Sequence, residues 1–215
     1  PEVIEYLKAE NEYTEKVMAH TKSLQEKLLE EIKERTKETD LSVPTHRGDY
    51  FYYERYEEGK EYPIYARKRG SLEAPEEIIL DVNELAPTQG FFAAGLLKVS
   101  PKQDILAFFS TNVGGGFGMI HFKNLSTGKM LEDKIPGIKA RPNIMSWAND
   151  NRTLFYLKYH SGFRWHQVYR HTLGTNPAED VLVYEEKNED RSCWLPEIKS
   201  QRYLIISTYF NTLYG

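Results

Sequence analysis

The sequence predicts a mainly β protein, a partial β-propeller of about 3.5 four-stranded blades preceded by an N-terminal helical arm. A polar turn followed by an aromatic-rich strand recurs four times, near Phe51, Ile105, Leu154 and Leu204. The steps between these positions are 54, 49 and 50 residues, a period at which a four-stranded sheet is the usual repeating unit. Such a sheet buries both of its faces only by packing between neighbouring sheets, which favours a propeller.

The first forty residues predict the helical arm. Over 2–37, apolar residues recur at three- and four-residue steps with charged residues between them, which is the pattern of amphipathic helices. This apolar stripe comprises Val3, Ile4, Leu7, Val17, Met18, Leu24, Leu28, Leu29 and Ile32. We predict two helices, 2–18 and 23–37, joined by a corner at 20–22. Ser23 and Glu26 have the spacing of a capping box at the start of the second helix.

The apolar stripe leaves two arrangements open. The helices either form a hairpin that packs on the β-rich part of the chain, or they dock on a surface outside these 215 residues. Both arrangements remove the stripe from water, because exposed apolar area is unfavourable there. The strands that follow contain no obvious partner for it.

After Asp40 the apolar period changes from 3.6 residues to 2, which is typical of strands. We predict blade 1 strands at 41–47, 50–56, 62–69 and 77–82, and blade 2 strands at 91–99, 105–111, 118–124 and 129–134. Blade 3 strands are predicted at 144–147, 154–159, 165–173 and 180–185, and two strands of a fourth blade at 194–198 and 203–209. We therefore expect an arm at 1–40 and an incomplete ring at 41–215. Because the chain also starts at Pro1, we expect it to be a piece of a longer protein.

The composition disfavours several classes of partner. The net charge of −4 and a pI near 5.9 disfavour nucleic acid, because binding to phosphates needs clustered Lys and Arg. The Arg- and aromatic-rich stretch 163–171 is the one segment typical of a single-strand groove. No apolar run reaches the ~20 residues needed to cross a bilayer, so we predict no membrane partner. The single cysteine, Cys193, is predicted to be a buried strand residue, which favours a reducing compartment, the cytoplasm.

Two motifs suggest binding chemistry at first sight. Gly114 to Gly118 follow a strand, but a second strand comes next, whereas a phosphate-binding glycine loop leads into a helix. We therefore predict a hairpin loop and no nucleotide cofactor. His160, His166 and His171 are the candidate metal ligands. Their spacing places His166 and His171 on opposite faces of a regular strand, so we predict no metal site.

Adjacent carboxylates do not predict acid–base catalysis. The pairs at 57–58 and 185–186 consist of neighbouring glutamates, and neighbours on a strand point to opposite faces. We predict that both pairs lie in solvated turns. Asp104 and Asp180 precede predicted strands, and we expect them to accept hydrogen bonds within their turns.

Four segments resemble the N-terminal third of oligopeptidase-B-type members of the prolyl oligopeptidase family of serine peptidases. These segments are VIEYLKAENEYTE from Val3, EEGKEYPIYARKR from Glu57, WANDNRTLFY from Trp147 and VYRHTLGTNPAEDVLVYEE from Val168. The similarity is collinear from about Val3 to Thr208. Two loops depart from it: NVGGGFG at 112–118, where the family usually has an acidic turn, and YHSGFRWHQ at 159–167.

The resemblance implies a two-domain enzyme that cuts short peptides after Arg or Lys. In that family a seven-bladed propeller caps an α/β-hydrolase domain with a Ser-Asp-His triad, and the arm packs on the hydrolase domain. None of the triad maps onto this chain, which has no G-x-S-x-G elbow, so we assign no catalytic residue and expect these 215 residues alone to be inactive. The alternative is a non-enzymatic propeller that presents a protein-binding surface.

Overall fold

The structure is a computed structural model that describes residues 2–86, 90–160, 164–198 and 202–210. It begins with helix α1 (Glu2–Met18), a single 3₁₀ turn (Ala19–Thr21) and helix α2 (Lys22–Arg35). The two predicted helices and their corner are confirmed. The predicted capping box is wrong, because α2 already begins at Lys22, which places Ser23 inside the helix. The 3₁₀ turn runs directly into α2, and Lys22 donates its backbone N–H to Ala19, so no side-chain cap is needed there.

Blade 1 is an antiparallel sheet of strands β1 (Thr45–Arg47), β2 (Tyr50–Arg55), β3 (Ile64–Arg69) and β4 (Glu76–Asp81), paired in that order. The first strand is shorter than predicted, since Leu41 forms only an isolated bridge with Arg55. Asp81 ends β4 and caps the one-turn helix α3 (Val82–Leu85) by accepting the N–H of Asn83 at 2.9 Å, as expected of an N-cap aspartate.

Blade 2 consists of strands β5 (Ala93–Val99), β6 (Ile105–Thr111), β7 (Phe117–Asn124) and β8 (Met130–Lys139), again paired in order. The last strand runs past its predicted end at 134. A register shift opposite Gly118 and Met119 accommodates Pro136 and Gly137. Gly137 has a φ of 72°, which suits a β-bulge, and the bulge lets the strand continue past a proline that cannot donate to the ladder.

Blade 3 consists of strands β9 (Met145–Trp147), β10 (Thr153–His160), β11 (Arg164–Thr172) and β12 (Val181–Glu185). The described part of blade 4 pairs β13 (Arg191–Trp194) with β14 (Ser207–Phe210). Both strands of blade 4 are displaced from the predicted positions, 194–198 and 203–209. The first ends at Trp194, because Pro196 follows closely and has no N–H to extend the ladder.

Apolar clusters lie between the blades and form the core. Leu80 and Val82 of blade 1 pack with Leu106 and Phe108 of blade 2, and similar clusters join blade 2 to blade 3 and blade 3 to blade 4. Sheets stacked face to face in this way are the architecture of a β-propeller. The predicted fold class, a partial propeller behind a helical arm, is therefore confirmed.

The arm is not covered by the described part of the blades. No residue of α1 or α2 is buried, and the nine residues of the apolar stripe are between 44% and 71% exposed. The arm reaches blade 1 where β2 ends, since the N–H of Tyr56 donates to the carbonyl of Asp40 at 2.9 Å. We call this side of the blades the arm side and the opposite side the far side. Within the described ranges, no helix has the length and apolarity to cross a membrane.

Candidate functional site: the inner edge of the blades

The first strands of successive blades converge on one edge, which we call the inner edge. Trp147 on β9 donates its indole N–H to the carbonyl of Lys98 on β5 at 2.9 Å, and these two strands are in contact. In a propeller the converging strands surround the central channel. The inner edge is therefore the surface that a molecule in the channel would meet.

Three charged residues meet at the far side of this edge. The carboxylate of Glu197, just after β13, lies 2.8 Å from the ammonium of Lys98 and 3.1 Å from the guanidinium of Arg47. Burial acts to raise the pKa of Glu197, but Lys98 and Arg47 outweigh it and bring the pKa below its ordinary value. This ion cluster joins blade 1, blade 2 and the segment that follows β13.

A cavity of about 680 Å³ opens at the inner edge between blades 1 and 2, and we call it the inner cavity. Its apolar wall includes Tyr53, Ile79, Leu97 and Val99. Its polar lining includes Tyr52, Glu54, Tyr65, Gln103, Arg47 and Glu197. The volume falls within the range of small-molecule and side-chain pockets.

The structure does not bring the candidate metal ligands together. His171 is fully buried, with Nδ1 2.8 Å from Asp180 and Nε2 3.1 Å from Asp133. His166 instead lies 3.9 Å from Glu185, and the side chain of His160 is outside the described residues. In the ranges that the structure describes, no group of histidine, cysteine or carboxylate side chains is placed to hold a metal ion. His171 is thus a core residue that links blades.

The glycine loop is a hairpin between β6 and β7, as predicted. A 3₁₀ turn at Gly114–Gly116 leads straight into a strand, so the loop lacks the helix N-terminus of a phosphate cradle. Gly118 is required by close packing, because a Cβ there would lie 2.0 Å from the backbone oxygen of Ser110. The loop is therefore a structural turn.

Blade 2 contains a serine–histidine contact that no sequence motif predicts. Ser110 Oγ lies 2.9 Å from His121 Nε2 across β6 and β7, and the ring of His121 stacks on Phe108. Burial, together with Lys134, lowers the pKa of His121. No carboxylate orients the histidine in the contacts that the described residues make, so the pair lacks the third member of a nucleophilic triad.

The carboxylate predictions are partly wrong. Glu58 lies in an exposed turn as predicted, while Glu57 beside it is part-buried and pairs with Arg55 and, at 2.7 Å, with the ammonium of Lys60. Glu186 is buried, because it accepts hydrogen bonds from the hydroxyl of Tyr184 and the N–H of Asn188 and so closes the loop after β12.

The prediction that Asp104 and Asp180 accept hydrogen bonds within their own turns holds for Asp104 only. The prediction that Cys193 is a buried strand residue is confirmed. Asp104 accepts from Ser100 Oγ within its own turn at 2.9 Å, as expected. The side chain of Asp180 is buried instead, beside His171 and the hydroxyl of Tyr156. Cys193 is buried within β13.

Comparisons with known proteins agree with this architecture. The family described as the prolyl oligopeptidase N-terminal β-propeller domain matches residues 1–213. Dipeptidyl aminopeptidase BI of Pseudoxanthomonas mexicana is 35% identical, over 96% of this chain and 30% of its own length. Protease 2 of Moraxella lacunata is 30% identical, over 95% of this chain and 30% of its own length.

A solved structure shows the same fold. Oligopeptidase B from Leishmania major superposes with a TM-score of 0.85 and 31% identity, over 97% of this chain and 29% of its own. The chain thus spans about three tenths of the length of the curated relatives that it matches. The resemblance noted from the four sequence segments is confirmed over nearly the whole chain. This chain belongs to the prolyl oligopeptidase family and comprises the N-terminal β-propeller region of that family.

Proposed function

We propose that this chain is the substrate-gating part of a cytoplasmic serine oligopeptidase that hydrolyses short peptides after Arg or Lys. Residues 1–40 form the arm and 41–215 the first blades, and an α/β-hydrolase domain in the rest of the protein supplies a Ser-Asp-His triad. In such a triad the serine attacks the carbonyl, the histidine takes its proton, and the aspartate orients the histidine. The observation that carries the proposal is the family match over residues 1–213.

The arm provides the link between the two domains in this proposal. Its apolar stripe is left uncovered by the described blades, and residues such as Leu7 and Leu28 are 55% and 47% exposed. An apolar stripe of this length is stable in water only when a second surface covers it. In this proposal the hydrolase domain is that surface, because the resemblance to the family implies that the arm packs on it.

The blades provide the size filter. The inner edge carries the Arg47, Lys98 and Glu197 cluster on its far side, so blades 1 and 2 are held to the segment after β13. In the complete ring that this proposal assumes, the central channel admits an extended peptide and excludes a folded protein. The filter and the cleavage are therefore separate tasks of the two domains.

The proposal is tested by assaying the intact protein and the 215-residue chain on a blocked arginine p-nitroanilide. The isosteric citrulline substrate is the uncharged control. We expect the intact protein to cleave the arginine substrate and to lose activity after treatment with a serine-directed inhibitor, and the 215-residue chain to cleave neither substrate. An inert intact protein would favour the alternative of a non-enzymatic scaffold, and turnover by the chain alone would contradict the assignment of the triad to another domain.

A second specificity is favoured by one comparison. The relative with 35% identity carries the name dipeptidyl aminopeptidase, whereas the structural match is an oligopeptidase B. An unblocked dipeptidyl p-nitroanilide distinguishes the two. Faster turnover of this substrate than of the blocked arginine substrate would show that the protein is a dipeptidyl aminopeptidase.

A further inference from the structure

The inner cavity contains one carboxylate, that of Glu54, for which the described residues provide no counter-charge. Glu54 lies on β2 and lines the cavity, and no hydrogen bond or ion pair to its carboxylate occurs within the described ranges. The other carboxylate of the lining, Glu197, is already held by Arg47 and Lys98. Glu54 is part-buried in the cavity wall, so its carboxylate is available to a ligand that enters the cavity.

Glu54 is also held in place by its backbone. Its N–H donates to the hydroxyl of Ser42, and its carbonyl accepts the N–H of Ser42, both at 2.9 Å. Across the sheet it lies opposite Tyr65. Burial, with a smaller contribution from the charge of Glu54, raises the pKa of Tyr65 to about 12. The carboxylate and the tyrosine therefore face the same side of blade 1.

The charge of the lining favours a cation. Its charged residues are Arg47, Glu54 and Glu197. Glu197 is paired with Arg47 and Lys98, so Glu54 is the carboxylate of the lining that has no ion pair among the described residues. Arg67 lies opposite Tyr52 on the same face of blade 1 and donates to the hydroxyl of Tyr52 and the carbonyl of Gln103, but its guanidinium is paired with Glu77 at 2.9 Å. The free carboxylate of Glu54 therefore favours a cationic group, and a single free carboxylate is too few ligands for a metal ion.

We infer that the inner cavity binds the basic side chain of a peptide, with Glu54 as the counter-charge and the rings of Tyr52 and Tyr65 along its stem. A guanidinium or ammonium suits this lining because it pairs with a carboxylate and packs against aromatic rings. The volume of about 680 Å³ accommodates such a side chain with part of its backbone. The choice of a peptide as the carrier rests on the proposed function, whereas the cationic chemistry rests on the cavity alone. The cavity is a second recognition point for basic residues, within the propeller.

Calorimetric titration of the intact protein with N-acetyl-arginine amide tests the inference, after an arginyl chloromethyl ketone has blocked the catalytic site covalently and filled its arginine subsite. We expect one binding site, and an affinity at least tenfold weaker for N-acetyl-citrulline amide, which has the same shape without the charge. Glu54→Gln should weaken arginine binding at least tenfold. Glu58→Gln, in an exposed turn, is the matched control and should bind like the unaltered protein.

Several outcomes would overturn the inference. Failure of the blocked protein to bind at millimolar ligand, equal affinity for arginine and citrulline, or unchanged binding by Glu54→Gln would each do so. If Glu54→Gln does not fold, Glu54→Asp serves instead, because it keeps the charge and withdraws it by one methylene, and its binding should be weaker than that of the unaltered protein. Turnover is measured separately, so an inert protein that still binds through Glu54 would refute the proposed function alone.

Discussion

Asp133 and His171 join two blades through a contact buried between them. Oδ1 of Asp133 on β8 lies 3.1 Å from Nε2 of His171 on β11, and it also accepts the N–H of Gly174 at 2.6 Å. The other ring nitrogen of His171 faces Asp180 at 2.8 Å. The imidazole is therefore held on both sides, and blade 2 is fixed to blade 3 by a polar contact as well as by apolar packing.

Asp133→Asn should destabilise the protein by about 1–2 kcal/mol, because the contacts of Asp133 with His171 and the N–H of Gly174 would be made by a neutral amide, which forms weaker hydrogen bonds than a carboxylate. Urea unfolding measures the loss. Glu132→Gln is the control, since Glu132 is exposed on the same strand, and we expect a change within about 0.5 kcal/mol. Equal unfolding midpoints for the two variants would contradict the role of the contact.

Asp104 should make stability sensitive to acid. Burial acts to raise its pKa, but hydrogen bonds from Asn151 and Ser100 outweigh burial, and the pKa lies below its ordinary value of 3.8. A carboxylate whose pKa is lowered by folding stabilises the protein above the unfolded value, and this contribution is lost as the pH falls through the folded value.

The variant Asp104→Asn should therefore be less stable at neutral pH by about 1–2 kcal/mol, and its difference from the unaltered protein should shrink below roughly pH 3.8. Urea unfolding across an acid pH series checks this. Asp190→Asn, in the exposed loop after β12, is the control. A difference that stays constant down to the acid limit would refute the assignment.

Gly118→Ala should disrupt the pairing of β6 and β7. The new Cβ would lie 2.0 Å from the backbone oxygen of Ser110, and backbone atoms cannot move aside as a side-chain end can. We expect a loss of about 3 kcal/mol, at the upper end of overpacking effects. Gly114→Ala is the matched control, because nothing lies within 4 Å of a Cβ there. Similar melting temperatures for the two variants would show that the loop adapts.

Leu28→Ser tests whether the arm docks on the hydrolase domain. In the intact protein we expect the variant to lower the free energy of unfolding by about 1–2 kcal/mol, the contribution of a buried leucine. In the 215-residue chain it should have no more effect than Lys27→Ser, since Leu28 is 47% exposed there. Lysine and leucine have similar helix propensities, so Lys27→Ser matches the helix effect. Equal effects of the two variants in the intact protein would exclude docking through this face.

Much of the fold follows from local patterns. The strands of blades 1 to 3 were predicted to within a few residues, because alternation of apolar and polar residues repeats over each strand and turn residues separate the strands. The boundaries of β8, β13 and β14 differ from the predicted ones, because they depend on pairing with a neighbouring strand. The bulge at Gly137 extends β8 only because β7 offers a matching register. The limits of β13 and β14 are set by their register, in which Trp194 pairs with Ser207 and Arg191 with Phe210.

The inner edge was not predicted from the sequence. Arg47 and Glu197 are 150 residues apart, and nothing in either segment indicates the other. The same holds for Asp133 and His171, which are 38 residues apart. No sequence motif indicates Glu54, because what distinguishes it is its place in the inner cavity without an ion pair among the described residues, which depends on the tertiary structure.

The order of residues therefore specifies the helical arm, the strands, the repeat and the family, since each of these depends on periodicity or on runs of neighbouring residues. The stacking of the blades specifies the ion cluster, the buried histidine and the cavity beside Glu54. These features arise where side chains from different blades face each other at hydrogen-bonding distance, and such distances are set by how twisted sheets pack on one another.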